Sequence, residues 1–430
     1  MNKQLKALVI IFLIVISMIS VLSCSQPERA GKETIVVRFA APQNAYIEDF
    51  DTNLYKLWLE EQTGIKIEME WLPVNDAEQI VKLMLSTGED LPDAFVGFGS
   101  DSYEIFKNPS VQRYGEQGVI IPLNELIERL GENTKKLFEE LPEYNLKQMM
   151  TSVDGQVYFM PGFSSSFITR YMQIMWVNKG WLDDLNIAPP TTTNEFRDML
   201  RAFKNKYPDC IAMAGTEAHY RKQAYDYLIN AFIYNDTNNS RLLLENGVIG
   251  FAPIRDEFRE ALKYIRGLYD EGLYSPLSFT QDNQQMNQIA NDRRDILGAF
   301  VSPGITLTVY QNSPEIMERY EGIGPLAGPN GVKLSTVFTS FPRPFGVITS
   351  ACQYQDEVFK LFDLMLSEEA CLMGRYGEKG VNWDFADEGE VSIYGTPATI
   401  NIKEQIWNTT QNKHLSQIVP YVSRLSIRVG

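Results

Sequence analysis

The chain contains few side chains that could perform acid–base or metal chemistry. Its two histidines, His219 and His414, lie far apart, and neither has the H-x-x-x-H or H-E-x-x-H spacing of a zinc site. The motifs G-x-S-x-G and G-x-x-x-x-G-K-[ST] are absent from the sequence. The 55 acidic residues leave a glycosidase pair open, but their abundance singles out no residue. The sequence therefore predicts no catalytic residue, no metal and no cofactor, with a surface glycosidase as the alternative.

Cys24 is the residue whose position predicts a specific covalent chemistry. It follows two lysines and an apolar run, Ala7–Leu22, which is short for a membrane-spanning helix but typical of a signal peptide. The run ends in VLSC, which resembles the lipobox of bacterial lipoproteins, where the cysteine receives a lipid and becomes the N-terminus. Leu22 stands where small residues are usual, so a plain secretory signal with an incidental cysteine is the alternative. We expect a signal peptide at residues 1–23 and a lipid-anchored tether at 24–33.

Charge and cysteine content narrow the partners further. The formal net charge of −16 repels phosphate backbones, so we expect no nucleic acid partner. Three cysteines remain, Cys210, Cys352 and Cys371, so they cannot all pair with one another, and they form no C-x-x-C motif. We expect buried thiols, although a single disulfide stays open.

Alternating strand and helix patterns predict an α/β architecture. TIVVRFAAP reads as a buried strand, and GIKIEMEW alternates with period two. Between them, Leu54, Leu57, Trp58 and Glu61 lie at helical spacing and predict a helix that stops at Gly64. Successive units of this kind build a parallel sheet covered by helices.

Two later helices have clear sequence signals. Residues 192–195 form a capping box, and Phe196, Met199, Leu200 and Phe203 follow at helical spacing. The predicted inward residues of a second helix are Phe258, Leu262, Ile265 and Tyr269.

The order of several segments resembles a known family. LYKLWLEEQTGIKIEMEWLP, IVKLMLSTGEDLPDAF, DGQVYFMP, MWVNKGWLDDLNIAPPTTTNEFRDMLRAFK and RYGEKGVNW occur in the order found in family 1 extracellular solute-binding proteins of ABC importers. The match extends over about residues 33 to 385 and is strongest with the branch of LipO-like lipoproteins and alginate-binding proteins. Many relatives carry a calcium loop, D-x-N-G-N-G-x-x-D-E, after the LRAFK helix. This chain has NKYPDCIAMAG there, so we predict no calcium site.

The resemblance implies a two-lobed periplasmic-binding-protein-like fold of type II, with a ligand cleft between lobes joined by a hinge. We expect lobe 1 to comprise residues 34–163 and 295–343, and lobe 2 to comprise 164–294 and 344–430. The implied function is a monomeric, lipid-anchored extracytoplasmic protein that captures an oligosaccharide and delivers it to the permease of an ABC importer. A peptide ligand, or a sensing role, stays open.

The resemblance also implies where ligand-contacting residues lie, because ligands in such folds sit beyond the carboxyl ends of strands. Residues after predicted strands, on crossover segments or on glycine-rich turns are therefore the candidates: Asn44, Tyr46, Asp93, Phe98, Arg170, Trp176, Arg343 and Trp383. Asp93 would accept sugar hydroxyls, and Phe98 and Trp383 would stack on a sugar face. A structural loop role for Asp93, and core packing for Trp176 and Trp383, are the alternatives.

The anchor hypothesis predicts that Cys24→Ala moves the protein from the membrane fraction to the soluble fraction. The thioether lipid supplies the membrane affinity, since each buried methylene contributes about 0.8 kcal/mol. Cell fractionation with immunoblotting measures the change, and Ser25→Ala serves as the matched control. Continued membrane retention of Cys24→Ala would contradict the anchor.

Overall fold

The computed structural model describes residues 34–99, 103–165, 171, 173–217, 223–236, 240–310, 313–337, 340–391, 397–404 and 410–424. Cys24 and Arg170 lie outside these residues. No helix in the described ranges has the length and apolar composition needed to cross a membrane.

The first sheet has six strands. They are β1 (Val36–Pro42), β2 (Lys66–Leu72), β3 (Ala94–Val96), β4 (Met160–Ser164), β11 (Arg343–Ile348) and β14 (Tyr421–Ser423). Their order across the sheet is β14-β4-β11-β3-β1-β2. β1 runs parallel to β2 and β3, and β14 runs parallel to β4. β11 is antiparallel to both of its neighbours, so it is the one strand of this sheet that runs against the others.

The second sheet has four strands. They are β5 (Ile174–Asn178), β6 (Ile211–Ala214), β9 (Leu297–Ser302) and β10 (Tyr320–Ile323). Their order is β10-β5-β9-β6, with β6 parallel to β9 and β5 antiparallel to both of its neighbours. Two small antiparallel pairs complete the strands: β7 (Leu242–Glu245) with β8 (Val248–Phe251), and β12 (Trp383–Phe385) with β13 (Ile400–Ile402).

Helices surround each sheet. Those packed with the first sheet are α1 (Leu54–Thr63), α2 (Ala77–Thr87), α3 (Asn108–Glu116), α4 (Asn124–Leu130), α5 (Glu132–Glu140), α6 (Leu146–Met150), α13 (Gln355–Met365) and α14 (Glu368–Tyr376). Those packed with the second sheet are α7 (Lys179–Leu185), α8 (Thr193–Lys206), α9 (Ala224–Ile229), α10 (Asp256–Asp270), α11 (Asn283–Ala290) and α12 (Pro314–Met317). Each sheet with its helices encloses its own apolar core, which gives two lobes.

The composition of the lobes corrects the predicted segment boundaries. The core of lobe 1 contains buried side chains from Val37 to Phe163 and from Val347 to Val422, whereas the cores of lobe 2 lie between Met175 and Leu326. The assignment of 295–343 to lobe 1 and 344–430 to lobe 2 is therefore wrong. Its physical reason is strand pairing: β9 completes the second sheet beside β6, while β11 and β14 complete the first sheet, and chain order alone does not reveal these partners.

The chain crosses between the sheets twice among the described strands. It leaves the first sheet after β4 and enters the second at β5, and it returns between β10 and β11. β4 is parallel to β14 and antiparallel to β11, so β4 ends where β11 begins, at the edge formed by the carboxyl ends of β1, β2 and β3. Likewise β5 begins at the edge where β6 and β9 end. Both crossings therefore join the carboxyl edges of the two sheets.

Much of the second crossing belongs to lobe 2. The Ala327 carbonyl accepts a hydrogen bond of 2.9 Å from the Thr193 amide. The Thr336 hydroxyl donates to the Asn235 carbonyl at 2.9 Å, and the Leu334 amide donates to the Asn230 carbonyl at 3.2 Å. The chain therefore changes lobe between Thr336 and the start of β11.

Local sequence signals account for the helix ends. The Thr192–Glu195 capping box forms as predicted, with the Thr192 hydroxyl and the Glu195 carboxylate each accepting a backbone N–H. α1 ends at Gly64 and α2 at Gly88, both with φ of +70°, a conformation that favours glycine. All four predicted inward residues of α8 are buried.

α1 forms and stops as predicted, but the leucines of its apolar stripe do not face the core. Its buried residues are Tyr55, Lys56, Leu59 and Glu60, whereas Leu54 and Leu57 are 38% and 42% exposed. The Glu60 carboxylate accounts for this: it accepts hydrogen bonds from the Ile67 amide at 2.9 Å and from Lys66 at 2.7 Å, and it lies 3.1 Å from the Lys56 ammonium. Satisfying this buried group fixes the helix rotation and turns the apolar stripe outward.

Two further predictions have mixed outcomes. In α10, Phe258 and Ile265 are buried as predicted, but Leu262 and Tyr269 are exposed.

Cys210, Cys352 and Cys371 are all buried free thiols, so the single-disulfide alternative is wrong.

The Glu60 network predicts a pH-dependent contribution to stability. Burial acts to raise the pKa of Glu60, but hydrogen bonds from Lys66, Ile67 and Lys56 outweigh it and hold the pKa below its usual range. The contribution is therefore present above about pH 4.3, the ordinary carboxyl pKa, and is lost as the pH falls through the lower folded value. We expect Glu60→Gln to lower the free energy of unfolding by about 2 kcal/mol at pH 7 and by less at pH 3.

Urea denaturation at both pH values measures this difference, with the exposed neighbour Glu61→Gln as control. Equal destabilisation by Glu60→Gln at pH 7 and pH 3 would contradict the ionic origin of the effect.

Candidate ligand-binding site

A cavity of about 520 Å³ lies at the carboxyl ends of β1 and β2. Its polar and aromatic lining consists of Gln43, Asn44, Glu48, Asp49, Phe50, Asp51 and Trp71. The Gln43 amide donates to the Leu72 carbonyl at 2.9 Å, which continues the parallel pairing one residue past β1. The loop that follows, residues 43–53, therefore leaves the sheet at the edge where parallel α/β sheets bind ligands.

The loop is held by its own turn and by the C-terminal segment. The Asn44 side-chain oxygen Oδ1 accepts from the Tyr46 amide at 2.9 Å, and the Asn44 side-chain N–H donates to the Gln417 side chain at 2.9 Å. The Gln411 amide donates to the Tyr46 carbonyl at 2.9 Å, and the Glu48 amide donates to the Gln411 carbonyl at 3.0 Å. These contacts fix the loop backbone and so preorganise the cavity.

Trp71 supplies an aromatic surface in this cavity. It is half-buried and packs edge-to-face on Phe50, with ring centroids 5.7 Å apart and an interplanar angle of 84°. Such a ring has little freedom to rotate, which favours stacking on an apolar ligand face. Trp71 was not among the predicted site residues and appeared only as the last residue of the alternating segment GIKIEMEW. The available signal was an aromatic residue at the second-to-last position of a predicted parallel strand, next to its carboxyl end.

Three carboxylates give the cavity a negative rim. The Asp49 carboxylate accepts from the Asp51 amide at 3.1 Å and from the Thr52 hydroxyl at 2.7 Å, so its position is fixed. The Lys56 ammonium lies 3.9 Å from the Asp51 carboxylate but is itself largely buried. Glu48 is exposed. Carboxylates of this kind accept hydrogen bonds from hydroxyl groups, and they repel anions.

The carboxyl edge of lobe 2 also presents hydroxyl groups. The Thr216 hydroxyl, just past β6, donates to the Gln281 carbonyl at 2.7 Å. The Ser302 hydroxyl, at the end of β9, donates to the Gly304 carbonyl at 2.9 Å and accepts from Thr308 at 2.9 Å. This edge is thus built from neutral, mutually bonded polar groups.

An acid near this edge is also engaged by a tyrosine. The Tyr225 hydroxyl donates to the Glu217 carboxylate at 3.0 Å. Burial, together with the charges of Asp226 and Glu217, raises the pKa of Tyr225, so its hydroxyl stays protonated at neutral pH.

Asp93 and Phe98 do not occupy the predicted positions. Asp93 precedes β3 and so lies at the amino end of that strand, where its carboxylate accepts from the Arg38 amide at 2.7 Å. Phe98 does follow β3, but it is 2% exposed within an aromatic cluster that includes Phe95 and Phe106. Both predictions of ligand contact are corrected, because one residue is at the opposite edge and the other is in the core.

The two tryptophans predicted for the site differ in burial, and ligand contact by Trp176 stays a prediction. Trp176 lies within β5, half-buried, and its indole N–H donates to the Ser302 carbonyl at 3.1 Å. Trp383 is 4% exposed, and its indole N–H donates to the Gly377 carbonyl at 3.0 Å. Trp383 packs beside Tyr376 and Phe385, so the core-packing alternative describes it and the ligand-stacking role is corrected.

The remaining predicted residues lie at or near the carboxyl edge. Asn44 lines the cavity, and Tyr46 beside it is 41% exposed. Arg343 begins β11 at the crossing edge, with its guanidinium carbon 5.6 Å from the centre of the Phe341 ring. Arg170 lies outside the described residues, so its predicted role stays a prediction.

The loop that replaces the calcium motif of the family is held by side chains of the protein. After α8, the Lys204 ammonium donates to the Cys210 carbonyl at 2.6 Å, and the Tyr207 hydroxyl donates to the Asp184 carboxylate at 3.0 Å. Among the described residues, no group of three His, Cys, Asp or Glu side chains is arranged to hold a metal ion.

Comparison with known proteins places this geometry in context. The chain is 28% identical over 336 residues to the fructooligosaccharide ABC transporter substrate-binding protein FusA of Streptococcus pneumoniae serotype 4, a match covering 75% of this chain and 59% of FusA. It is 23% identical over 354 residues to lipoprotein LipO of Bacillus subtilis, covering 76% of this chain and 64% of LipO. The chain therefore spans about three fifths of the length of these curated relatives.

Solved structures show the same fold. FusA of S. pneumoniae in complex with kestose superposes with a TM-score of 0.71 at 23% identity, covering 90% of this chain and 78% of FusA. An extracellular solute-binding protein from Bifidobacterium longum subsp. infantis superposes with a TM-score of 0.73 at 20% identity, covering 93% of this chain and 79% of that protein. The two-lobed α/β fold that the sequence predicted is thereby confirmed.

The model of the family described as bacterial extracellular solute-binding protein matches residues 40–370, which is most of the chain. With the two carboxyl edges joined by crossing segments and a ligand-sized cavity at one of them, this protein belongs to the family of bacterial extracellular solute-binding proteins.

Proposed function

We propose that this protein captures a neutral oligosaccharide outside the cytoplasm and delivers it to an ABC importer. The observation that carries the proposal is the cavity at the carboxyl ends of β1 and β2, where the fixed Trp71 ring lies beside amide and carboxylate groups. Aromatic faces stack on sugar rings, and amides and carboxylates bond sugar hydroxyls. Asn44, Trp71 and Asp49 are the proposed contacts on lobe 1.

The charge of the cavity supports a neutral ligand. Three acids line it, and its described lining contains no lysine or arginine. Two relatives illustrate the alternatives: a melibiose/raffinose/stachyose-binding protein (23% identical) and a polygalacturonan/rhamnogalacturonan-binding protein (21% identical), both from B. subtilis. Uronate carboxylates would be placed next to Glu48, Asp49 and Asp51, and like charges at short range disfavour binding. A neutral sugar avoids this repulsion.

The arrangement of the crossings supports capture by closure. Because both crossings join the carboxyl edges, rotation about them brings the cavity loop toward the Thr216 and Ser302 edge of lobe 2. A ligand that contacts both edges stabilises the closed conformation by the difference in its contacts between the open and closed states. The closed form is then the one that the importer recognises. The lipid on Cys24 holds the protein at the extracytoplasmic face of the membrane, and no chemical step on the sugar is involved.

Binding of kestose, raffinose and tri-galacturonate tests the ligand class. The full chain, kept in a polyoxyethylene detergent to avoid maltoside competition, is measured by isothermal titration calorimetry and thermal shift. We expect a neutral trisaccharide to bind and raise the melting temperature by mass action, and tri-galacturonate to bind at least about tenfold more weakly. Tighter binding of the uronate, or binding of peptides alone, would refute the neutral-sugar assignment.

Trp71→Ala tests the stacking role. We expect it to weaken binding of the best trisaccharide about tenfold, or about 1.4 kcal/mol, with little change in the melting temperature of the free protein. Trp383→Ala is the matched control, because it removes a buried ring: it should lower stability by about 3 kcal/mol while the folded protein keeps its affinity. A loss of affinity in Trp383→Ala and none in Trp71→Ala would move the site away from this cavity.

A further inference from the structure

α1 has an inverted distribution of polar and apolar side chains. Its buried face contains Lys56 and Glu60, while Leu54, Leu57, Trp58 and Glu61 form a stripe at positions i, i+3, i+4 and i+7 on the other side. Leu54 and Leu57 are 38% and 42% exposed. An apolar stripe of this spacing normally packs on a core, so its outward position indicates a surface that another molecule covers.

The stripe forms one wall of a groove. The groove has a volume of about 860 Å³ and lies between α1, α14 and the loop that leads into β12. Its apolar lining includes Leu57, Trp58, Leu372, Met373, Trp383 and Phe385. At its base, α1 and α14 are in close contact, because a Cβ on Gly374 would lie 3.0 Å from the Tyr55 ring. The groove is therefore a fixed feature of two packed helices.

Carboxylates surround this apolar floor. Glu61 on α1, Glu368 and Glu369 at the start of α14, and Glu378 in the loop all line the groove. In the part of the chain that the structure describes, none of these four forms an ion pair. The cation of the loop, Lys379, lies over the Phe385 ring instead, with its ammonium 4.1 Å from the ring centre. Four carboxylates and the one ammonium of Lys379 therefore line the groove, and its net charge is negative.

We propose that this groove, which we call the α1–α14 groove, binds a positively charged amphipathic helix of another protein. An apolar stripe on that helix would fill the floor, and lysines or arginines beside the stripe would pair with the four glutamates. The groove lies on residues that the sugar cavity does not use, so the proposal does not depend on the ligand.

Charge selects this occupant over a second copy of the same chain. The chain has a formal net charge of −16, so two copies repel one another, and a self-contact would set acidic rims against an acidic surface. The negative charge of the protein attracts a cationic helix, both while the helix approaches and when it is bound in the groove.

A synthetic 18-residue helical peptide tests the groove. It carries leucines at i, i+3, i+4 and i+7 with flanking lysines and arginines, and it is titrated into the full chain in polyoxyethylene detergent by fluorescence anisotropy. We expect it to bind at least about tenfold more tightly than a scrambled peptide of the same composition, and more weakly as salt is raised. An otherwise identical peptide with glutamates in place of the basic residues should bind at least tenfold more weakly.

Matched variants locate the binding surface. Leu57→Ser and the double change Glu368→Lys with Glu369→Lys should each weaken binding of the basic peptide about tenfold. Leu83→Ser removes a leucine of α2 that is 64% exposed, more than Leu57, and Glu139→Lys reverses an exposed charge on α5. Both controls should leave affinity unchanged, and circular dichroism should show that all variants keep the fold.

Three results would overturn the proposal. The first is equal affinity for the basic and scrambled peptides, and the second is basic-peptide binding that Leu57→Ser and the glutamate reversal leave intact. The third is a concentration-dependent dimer, seen by analytical ultracentrifugation, that Leu57→Ser abolishes, since that result would make a second copy the occupant. Sugar binding is measured separately on each variant, so failure of the neutral-sugar assignment and failure of the groove proposal are distinguishable.

Discussion

Strand β11 is the constraint on which the two-lobed structure depends. It returns from lobe 2 and inserts between β3 and β4, antiparallel to both. The Phe345 ring then lies against two glycines, since a Cβ on Gly99 or Gly162 would fall 2.2 or 2.3 Å from its ring carbons. Only glycine leaves room for this ring at both positions. The end of the second crossing is thereby held at the carboxyl edge of the first sheet, beside the start of the first crossing. The opening between the lobes follows from that placement.

The C-terminal segment completes lobe 1 and braces the cavity. β14 pairs with β4, and the nearby Arg424 guanidinium donates to the Glu140 carboxylate at 2.8 Å in a largely buried position. Further back, Gln411 and Gln417 bond the loop that begins at Gln43. Residues nearly four hundred positions apart therefore determine the shape of the ligand cavity. No local sequence pattern at either end indicates this pairing.

The sequence predicted local structure well where one physical effect dominated. The Thr192–Glu195 capping box and the four buried residues of α8 are examples, because capping and apolar periodicity act in the same direction there. In α1 the helix and its stop were predicted, but not its orientation, because the buried Glu60 network outweighs the apolar stripe. The lobe boundaries failed because β9 and β11 have similar apolar sequences and only their pairing partners differ. Asn44 lies at the carboxyl edge that its place after a strand predicted, and its ligand contact stays a prediction. Asp93 precedes its strand by one residue, which reverses the edge on which it lies.

The cavity and the α1–α14 groove are adjacent in the chain although they differ in chemistry. The cavity loop ends at Asn53, whose side-chain carbonyl accepts from the Tyr55 and Lys56 amides at 3.1 and 3.3 Å and so caps α1. The Leu54 amide donates to the Asn412 carbonyl at 3.0 Å, which ties the first residue of the groove helix to the same C-terminal segment that braces the loop. Because one segment anchors both, the position of α1 depends on the contacts that shape the cavity. The outward apolar stripe therefore lies on a helix whose start is fixed by the same C-terminal segment that holds the cavity loop.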